Sequence, residues 1–309
     1  MRTKRLGSSG PEISVVGYGA WELGGDMWGA NPADEHELHR AIRAGIDAGM
    51  TWVDTAEVYG SGRSEEIVGR ALAGRSDALV FTKVAPSGTG FRPEQIVEAC
   101  DKSLRRLGRD AIDLYQLHAP DKEVPVEDTW GAMAGLVEDG KVRFIGVSNF
   151  KQDLIERCES VRHVDSLQPQ ISMLWRDNLE LAAFCGRNGT GVIAYGPLAY
   201  GLLTGTITKD TTFADGDWRS GSTISYYERL FKPGVVEGHL AVVDALRPVA
   251  DRLGCTLAHL ALAWVVHQEG VTGAIAGSRD ARHCAQNAGA GDVALGEKDL
   301  EEIGAILAG

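Results

Sequence analysis

Residues 79–118 read LVFTKVAPSGTGFRPEQIVEACDKSLRRLGRDAIDLYQLH, and this stretch decides the fold. Its first five residues form a short apolar run, which is typical of a buried strand. Pro93 then stands at the first position of a predicted helix, where a missing N–H costs nothing, and Gly108 ends that helix. Residues 112–118, which contain Ile112, Leu114, Tyr115 and Leu117, predict a second strand. Strand, helix and strand in this order form a βα repeat of about thirty residues.

The same alternation of apolar runs and helical patterns continues along the chain. Eight strands are predicted, at residues 15–18, 51–54, 79–83, 112–118, 142–148, 166–171, 191–195 and 271–276. Asn31 is predicted to cap the first helix, with Pro32 at its first position. Eight such units predict a (β/α)8 TIM barrel of the α/β class. A doubly wound open sheet is the alternative that this alternation leaves open.

Some segments lie outside the repeat. Residues 2–14 contain a Ser-Ser-Gly turn and predict an N-terminal hairpin that caps the lower end of the barrel. Extra helices near the C-terminus are predicted at 240–253, 258–268 and 298–307. Residues 200–238 are rich in Gly, Thr and Asp but also aromatic, and a loop of this length is often functional. No break in composition marks a boundary, so residues 1–309 are expected to form a single domain.

The chain has 309 residues and a formal net charge of −12 at pH 7. It lacks the basic character of nucleic-acid-binding proteins, which argues against such a partner. No apolar run approaches the roughly 20 residues of a membrane helix, and no signal peptide is recognised. The five cysteines form no C-x-x-C pattern, which indicates reduced thiols and a cytoplasmic location. Monomer and dimer both fit this composition.

Four polar residues follow successive predicted strands. Asp54 ends the second strand, Tyr59 lies in the loop after it, Lys83 ends the third and His118 the fourth. Functional side chains of such barrels lie at the C-terminal ends of the strands, so the four are expected at one rim. An aspartate would hold the lysine, whose charge would lower the pKa of the tyrosine, while the histidine would bind a substrate oxygen. Together they predict a general acid that protonates a developing alkoxide.

Any one of these four residues, taken alone, would fit a structural role, and their occurrence together favours a functional one.

The sequence motifs of other nucleotide-binding and metal-binding sites are absent or incomplete. Gly17-x-Gly19 lacks the spacing of a dinucleotide fingerprint, and no Walker-type sequence occurs. His36 and His39 are three residues apart without the H-E-x-x-H pattern. They are interpreted as an exposed helical face, and no metal site is predicted.

Taken together, these residues resemble the aldo-keto reductase superfamily over nearly the whole chain. The matching segments are DTAEVYG (54–60), Lys83, LYQLH (114–118), GVSNF (146–150), YGPL (195–198), GLLTG (201–205), GSR (277–279) and Gln286-Asn287. Their order and spacing make the resemblance specific. Residues 200–238 resemble the bacterial and potassium-channel-β-subunit branch of that superfamily, which implies that this long loop covers the cofactor and the substrate.

The resemblance implies that NADPH is the cofactor and that a small carbonyl compound is the substrate. It implies that Tyr59 is the general acid, that Lys83 paired with Asp54 lowers its pKa, and that His118 orients the carbonyl. The implied cofactor-binding residues are Gly19, Ala20, Trp21, Asp54, Ser148, Asn149, Gln170, Tyr195, Gly196, Pro197, Leu198, Gly201, Gly277, Ser278, Arg279, Gln286 and Asn287. The implied substrate-binding residues are Trp21, Trp28, Tyr59 and His118.

Within that set the resemblance implies separate tasks. Ser148, Asn149 and Gln170 would bind the nicotinamide carboxamide, and Tyr195 would stack on the ring. Residues 196–198 and Gly201 would follow the pyrophosphate, and residues 286–287 would lie near the adenine. The segment 277–279 would receive the 2′-phosphate, because the guanidinium of its arginine suits phosphate oxygens.

The implied function is reduction of an aldehyde or ketone to an alcohol by hydride transfer from NADPH. Two alternatives stay open: an NADP(H)-binding regulatory subunit with little turnover, and a lyase that uses Lys83 as a Schiff-base nucleophile. The sequence also departs from the family pattern. Gly196 stands where a serine is frequent, and His283 stands where arginine or glutamine is frequent. These departures concern cofactor preference and leave the expected reaction class unchanged.

Overall fold

Eight parallel strands close into a barrel in the computed structural model, which describes residues 1–25, 27–29, 34–222 and 224–309. Two short antiparallel strands, β1 (Thr3–Arg5) and β2 (Glu12–Ser14), precede it. The barrel strands are β3 (Val16–Gly19), β4 (Trp52–Asp54), β5 (Leu79–Val84), β6 (Ile112–Leu117), β7 (Val142–Ser148), β8 (Ser166–Gln168), β9 (Gly191–Ala194) and β10 (Val271–Ala276). Because β10 pairs with both β3 and β9, the sheet is closed. The predicted barrel is confirmed, and the open sheet is excluded.

Most strand residues are buried, because helices cover the outside of the barrel and side chains fill its inside. This is why continuous apolar runs, rather than alternation, mark the strands in the sequence. One strand is shorter than predicted. β8 ends at Gln168 because Pro169, which follows, has no N–H to donate. Beyond it, Gln170 keeps one isolated bridge to Tyr195.

Helices alternate with the strands. They are α1 (Glu35–Asp47), α2 (Arg63–Ala71), α3 (Pro93–Leu107), α4 (Val126–Glu138), α5 (Gln152–Glu159), α6 (Leu179–Arg187), α7 (Val236–Arg252), α8 (Leu257–Val266), α9 (Ala281–Gly289) and α10 (Glu297–Ala308). The predicted cap Asn31 and the following Pro32 lie outside the described residues. The described helix α1 has Asp34 as its N-cap, whose carboxylate accepts the N–H of His36. Among the described helices, none is by itself long and apolar enough to span a membrane, and only the bent pair α7 and α8 would qualify if joined.

The N-terminal hairpin fills the lower end of the barrel, as predicted. Leu6 and Ile13 have no solvent exposure and pack against Trp52 and Phe81, whose side chains lie inside the barrel. The indole N–H of Trp52 donates to the carbonyl oxygen of Ser14 at 2.8 Å. Burial of these apolar side chains fixes the hairpin to the barrel.

The long segment 200–238 lies over the upper end. In its described part it contains short helical turns, at Ala199–Thr204, Trp218–Ser220 and Tyr227–Phe231, before α7 begins. Trp28 pairs with Asp217 in an isolated antiparallel bridge, and the N–H of Trp218 donates to Met27 O at 2.9 Å. The segment is therefore joined to the loop that follows β3.

Candidate active site

The four residues predicted to act in catalysis meet at the upper rim of the barrel. Asp54 ends β4, Lys83 lies next to the end of β5, and His118 directly follows β6. Tyr59 lies in the loop between β4 and α2, and its ring centroid is 5.5 Å from that of His118. Since all barrel strands are parallel, their C-terminal ends share one rim, and neighbouring strands bring these side chains together.

Asp54 and Lys83 form a buried ion pair. Lys83 Nζ lies 2.5 Å from Asp54 Oδ1 and also donates to Thr55 O at 2.8 Å. Gln168 Nε2 donates to the other carboxylate oxygen of Asp54 at 2.8 Å. Burial lowers the pKa of Lys83 and raises the pKa of Asp54, while the attraction between the two charges opposes both shifts. An ammonium held by two oxygen acceptors is poorly suited to form a Schiff base, which argues against the lyase alternative.

The pKa of Tyr59 is raised well above its ordinary value, first by burial and then by the negative charge of Asp54. The sequence predicted the opposite direction, because it considered the lysine–aspartate pair but not the burial of the phenol. In the structure Lys83 Nζ is 5.3 Å from the centroid of the Tyr59 ring, but its charge is paired with Asp54. Tyr59 therefore keeps its proton at neutral pH, which is the state that a proton donor requires.

His118 is neutral at neutral pH. Burial, assisted by the charge of Lys83, lowers the pKa of His118 to about 3. Its Nδ1 is buried and has no hydrogen-bond partner among the described residues. A neutral imidazole can hydrogen-bond a carbonyl oxygen without adding a charge to the site.

A cavity of about 760 Å³ opens above these residues, and Asp54, Tyr59 and His118 line it. The other predicted residues that line it are Gly19, Ala20, Trp21, Trp28, Asn149, Tyr195, Gly196, Pro197, Leu198, Gly201, Gly277, Ser278, Gln286 and Asn287. The predicted residues Lys83, Ser148, Gln170 and Arg279 lie outside this lining. The structure thus gathers most of the predicted set around one cavity, and their individual roles stay predictions.

Two glutamines near the end of β8 are placed differently. Gln168 lines the cavity, whereas Gln170, the one selected from the sequence, does not. Gln170 is buried, and its backbone carbonyl oxygen accepts a hydrogen bond from Asn178 Nδ2 at 3.0 Å. Its Nε2 has no partner within the described parts of the chain. We therefore expect Gln168 to be the glutamine that meets a ligand directly.

Asn149 connects several predicted residues. It has a positive φ of 61°, which an asparagine tolerates better than most residues. Its Nδ2 donates to His118 O and to Ser148 Oγ, each at 3.1 Å. Its Oδ1 accepts from the hydroxyl of Tyr195 at 2.8 Å. This network fixes the orientation of the amide beside the cavity.

The turn after β9 keeps side chains away from the cavity wall. Gly196 and Gly201 have positive φ values of 64° and 106°. A Cβ atom on Gly196 would come within 3.3 Å of the Tyr200 hydroxyl, and one on Gly201 within 3.1 Å of Ile207. Glycine therefore leaves a channel where a ligand can approach the backbone closely. This glycine-lined wall, which a Cβ atom at either position would narrow, fits a dinucleotide cofactor.

The segment after β10 lines the cavity at Gly277 and Ser278, and a pair of charged residues lies beside it. Gly277 packs so closely that a Cβ atom there would overlap the carbonyl oxygen of Gly19. The hydroxyl of Tyr18 donates to Ser278 O at 2.9 Å, which ties β3 to the segment before α9. Arg279 Nε lies 3.9 Å from a carboxylate oxygen of Glu22.

Aromatic side chains form the upper wall. The ring centroids of Trp21 and Trp28 are 4.9 Å apart, and Trp21 stacks on Trp218 at 6.4 Å. Tyr226 stacks on Tyr200 at 5.1 Å, with its hydroxyl 3.2 Å from that of Tyr195. Of these aromatic residues, the ones that line the cavity are Trp21, Trp28, Tyr195, Tyr200 and Tyr226.

Sequence reasoning missed several polar residues of the lining, namely Glu22, Gln168, Arg219, Tyr226 and His259. For Tyr226 and Arg219 a signal existed, because the long segment 200–238 is unusually aromatic for a loop. No group of three or more His, Cys, Asp or Glu residues in the described part of the chain is placed to hold a metal ion.

This chain is similar to known proteins over nearly its whole length. The chain is 34% identical to a protein of Oryza sativa subsp. japonica named probable voltage-gated potassium channel subunit beta, over 95% of this chain and 92% of that protein. The glycerol dehydrogenase AKR11B4 from Gluconobacter oxydans has a similar structure, with a TM-score of 0.86, 33% identity, and 99% and 95% of the two chains covered. An aldo/keto reductase from Klebsiella pneumoniae, solved in complex with NADP and acetate, gives a TM-score of 0.76 and 29% identity, covering 98% and 96%.

A model of the aldo/keto reductase family matches residues 15–308, which include every barrel strand and the whole cavity lining. The closed barrel agrees with that match. The chain is therefore an oxidoreductase enzyme that belongs to the aldo/keto reductase family.

Proposed function

We propose that this enzyme reduces an aldehyde or ketone to an alcohol, with NADPH as cofactor and Tyr59 as the proton donor. The observation that carries the proposal is the buried Lys83–Asp54 ion pair next to Tyr59 and His118, at one end of a cavity of about 760 Å³. This combination places a protonated phenol and a neutral imidazole where a carbonyl oxygen can reach both.

The proton moves from the hydroxyl of Tyr59 to the carbonyl oxygen of the substrate. NADPH, when bound, supplies the hydride that reduces the carbonyl carbon. His118 hydrogen-bonds the same oxygen and holds the carbonyl in line. The resulting negative charge on Tyr59 is stabilised by the ammonium of Lys83, 5.3 Å from the ring centroid. Lys83 of the ion pair thus stabilises the negative charge that develops on the oxygen of Tyr59 during proton transfer.

The cofactor would lie along the wall from Asn149 to Asn287. We expect Asn149 and Gln168 to meet the carboxamide, and the channel between Gly196 and Gly201 to admit the pyrophosphate. Arg279 would receive the 2′-phosphate. Binding energy from these distant contacts orients the reacting end of the cofactor.

Fluorescence titration of the purified protein with NADPH and with NADH tests the cofactor assignment. Trp21 and Trp28 line the cavity, so bound nucleotide is expected to quench tryptophan emission, with NADPH binding the tighter of the two. Oxidation of NADPH upon addition of 4-nitrobenzaldehyde then tests the reaction. Binding of neither nucleotide would remove the proposal, and binding without any oxidation would favour a non-catalytic role.

Arg279→Ala is expected to weaken NADPH binding by about tenfold and NADH binding by less than about twofold, since a charged hydrogen bond to phosphate is lost. The dissociation constants from the same titration measure both effects. Arg282→Ala, which removes an exposed arginine three residues further along the chain, in the first turn of α9, is the matched control. Equal losses for both nucleotides would contradict recognition of the 2′-phosphate by Arg279.

A second candidate function is cofactor binding with little turnover, as part of a larger complex. It is favoured by the 34% identity to a protein named as a potassium channel subunit. The rim residues needed for proton transfer are all present, so we expect turnover. A rate of carbonyl reduction no faster than that of free NADPH would favour the second candidate.

A further inference from the structure

Charged residues pair with one another next to Gly277 and Ser278, where these two residues line the cavity. Glu22 lies in the loop after β3 and lines the cavity, with its side chain 27% exposed. Its carboxylate is 3.9 Å from Arg279 Nε, and the side chain of Arg279 is 33% exposed. The pair spans the gap between the β3 loop and the segment that leads into α9.

Two neighbouring carboxylates also occupy groups that could otherwise bind a phosphate. Arg219, which also lines the cavity, is held by the carboxylate of Asp217 at 2.7 Å. Asp280 caps α9 by accepting the N–H groups of Arg282 and His283. A helix N-terminus with free N–H groups would attract a phosphate, but here a carboxylate already occupies it. Three carboxylates therefore offset the groups that a phosphate would use at this end.

Acidic and basic side chains have opposite effects at the ribose of a dinucleotide. In dinucleotide sites of another fold, an acidic residue accepts a hydrogen bond from the 2′-hydroxyl of NAD, whereas an arginine accommodates the 2′-phosphate of NADP. In this enzyme one residue of each kind faces the other. A phosphate that approaches Arg279 also approaches the negative charge of Glu22, and the two effects oppose each other.

We propose that Glu22 determines the cofactor preference of this enzyme, by holding Arg279 and by repelling the 2′-phosphate. The inference rests on the proposed function, because it concerns the same cofactor site. It follows that the wild-type protein discriminates between NADPH and NADH less than its arginine alone would allow. Removal of the charge of Glu22 increases that discrimination.

The test compares the wild-type protein with Glu22→Gln, which keeps the shape of the side chain and removes its charge. Calorimetric titration uses 2′,5′-ADP and 5′-AMP, which differ only in the 2′-phosphate and cannot transfer hydride. We expect Glu22→Gln to bind 2′,5′-ADP about tenfold more tightly and 5′-AMP with less than about a twofold change. Equal gains for both nucleotides would overturn the proposal.

The control is Glu12→Gln. Glu12 lies 3.8 Å from Arg5 in the hairpin at the other end of the barrel, so it matches the residue type and the spacing of the Glu22 pair. We expect no change in either affinity. If Glu22→Gln does not fold, Glu22→Asp serves instead. It draws the carboxylate back from Arg279, and a smaller gain for 2′,5′-ADP alone is expected.

A double-mutant cycle separates this role from a structural one. In an Arg279→Ala background, Glu22→Gln is expected to lose most of its effect on 2′,5′-ADP, because the two residues act through their contact. A gain of the same size in both backgrounds would overturn the part assigned to Arg279. If the wild-type protein binds neither NADPH nor NADH, the proposed function itself fails. If it binds both and the ratio of affinities does not change in Glu22→Gln, only this inference fails.

Discussion

Tyr59→Phe is expected to reduce the rate of carbonyl reduction by about 10³-fold, because general acid catalysis contributes about 10²–10⁴-fold. The substitution removes one hydroxyl and leaves a ring that still packs against His118, 5.5 Å away. NADPH binding is expected to stay near the wild-type value. The measurement combines the rate of NADPH oxidation with 4-nitrobenzaldehyde and the dissociation constant from tryptophan fluorescence.

Tyr115→Phe is the matched control for this variant. Tyr115 lies in β6, is fully buried and lies outside the cavity lining. Its hydroxyl has no hydrogen-bond partner in the described residues, so its removal is expected to leave the rate unchanged. Turnover by Tyr59→Phe within tenfold of the wild type would show that the proton comes from another group.

Lys83→Met is expected to lower both stability and activity. Lys83 has no solvent exposure, and its removal leaves the carboxylate of Asp54 buried without a counter-ion. Breaking a buried pair by removing one partner costs about 3–5 kcal/mol of unfolding free energy. The negative charge that forms on Tyr59 during reduction also loses its stabilisation, so the rate is expected to fall by about 10²-fold or more. Denaturant unfolding and the NADPH oxidation assay measure the two effects.

The stability loss in Lys83→Met has a pH dependence with a definite sign. Burial already raises the pKa of Asp54 in the wild-type protein, and Lys83 opposes that shift. Without Lys83, folded Asp54 binds its proton more tightly than the unfolded chain does. Stability is therefore retained below the ordinary carboxyl pKa and lost as pH rises through the raised value. The denaturant midpoint of Lys83→Met should therefore lie further below that of the wild-type protein at pH 8 than at pH 5.

Lys102→Met provides the comparison for this effect. Lys102 forms an exposed i, i+4 pair with Glu98 on α3, and such pairs contribute less than about 1 kcal/mol. Its removal is expected to change stability little at either pH. A pH-independent loss in Lys83→Met, equal at pH 5 and pH 8, would contradict the account of Asp54.

The barrel was predictable because its signals are local. The run 79–83, the helix opened by Pro93 and the run 112–118 each specify one element from nearby residues alone. Their repetition then limits the topology, since βα units connect with one handedness. The end of β8 was less predictable. The strand was predicted to continue to residue 171, and the lack of an N–H on Pro169 ends the regular pairing before that point.

The candidate site was predictable in composition but not in detail. Asp54, Lys83 and His118 could be placed because strand ends share a rim. Gln168 and Gln170 could not be distinguished from the sequence, because residues two positions apart in a strand point to the same face, and only the structure shows that Gln168 lines the cavity. The direction of the Tyr59 pKa also depends on burial, which a motif does not contain.

Contacts between distant segments explain the remaining differences. Glu22 meets Arg279 across more than 250 positions of sequence, and no local pattern indicates that pair. Tyr226 reaches Tyr195 only because the long segment folds back over the rim and is joined there by the bridge from Trp28 to Asp217. Such pairs follow from the closed barrel and could be found only once it was built.

The hairpin that fills the lower end of the barrel bears on how this enzyme can be inhibited. Since Leu6 and Ile13 occupy that end, the described lining of the cavity belongs to the upper side alone. The nucleotide and the carbonyl compound would then enter through the same opening. Whichever of them binds second would block the dissociation of the first. A compound lodged against Trp21 and Trp28 would delay nucleotide exit, so adding more nucleotide would not relieve its effect. Residence time, in addition to affinity, would decide the potency of such a compound.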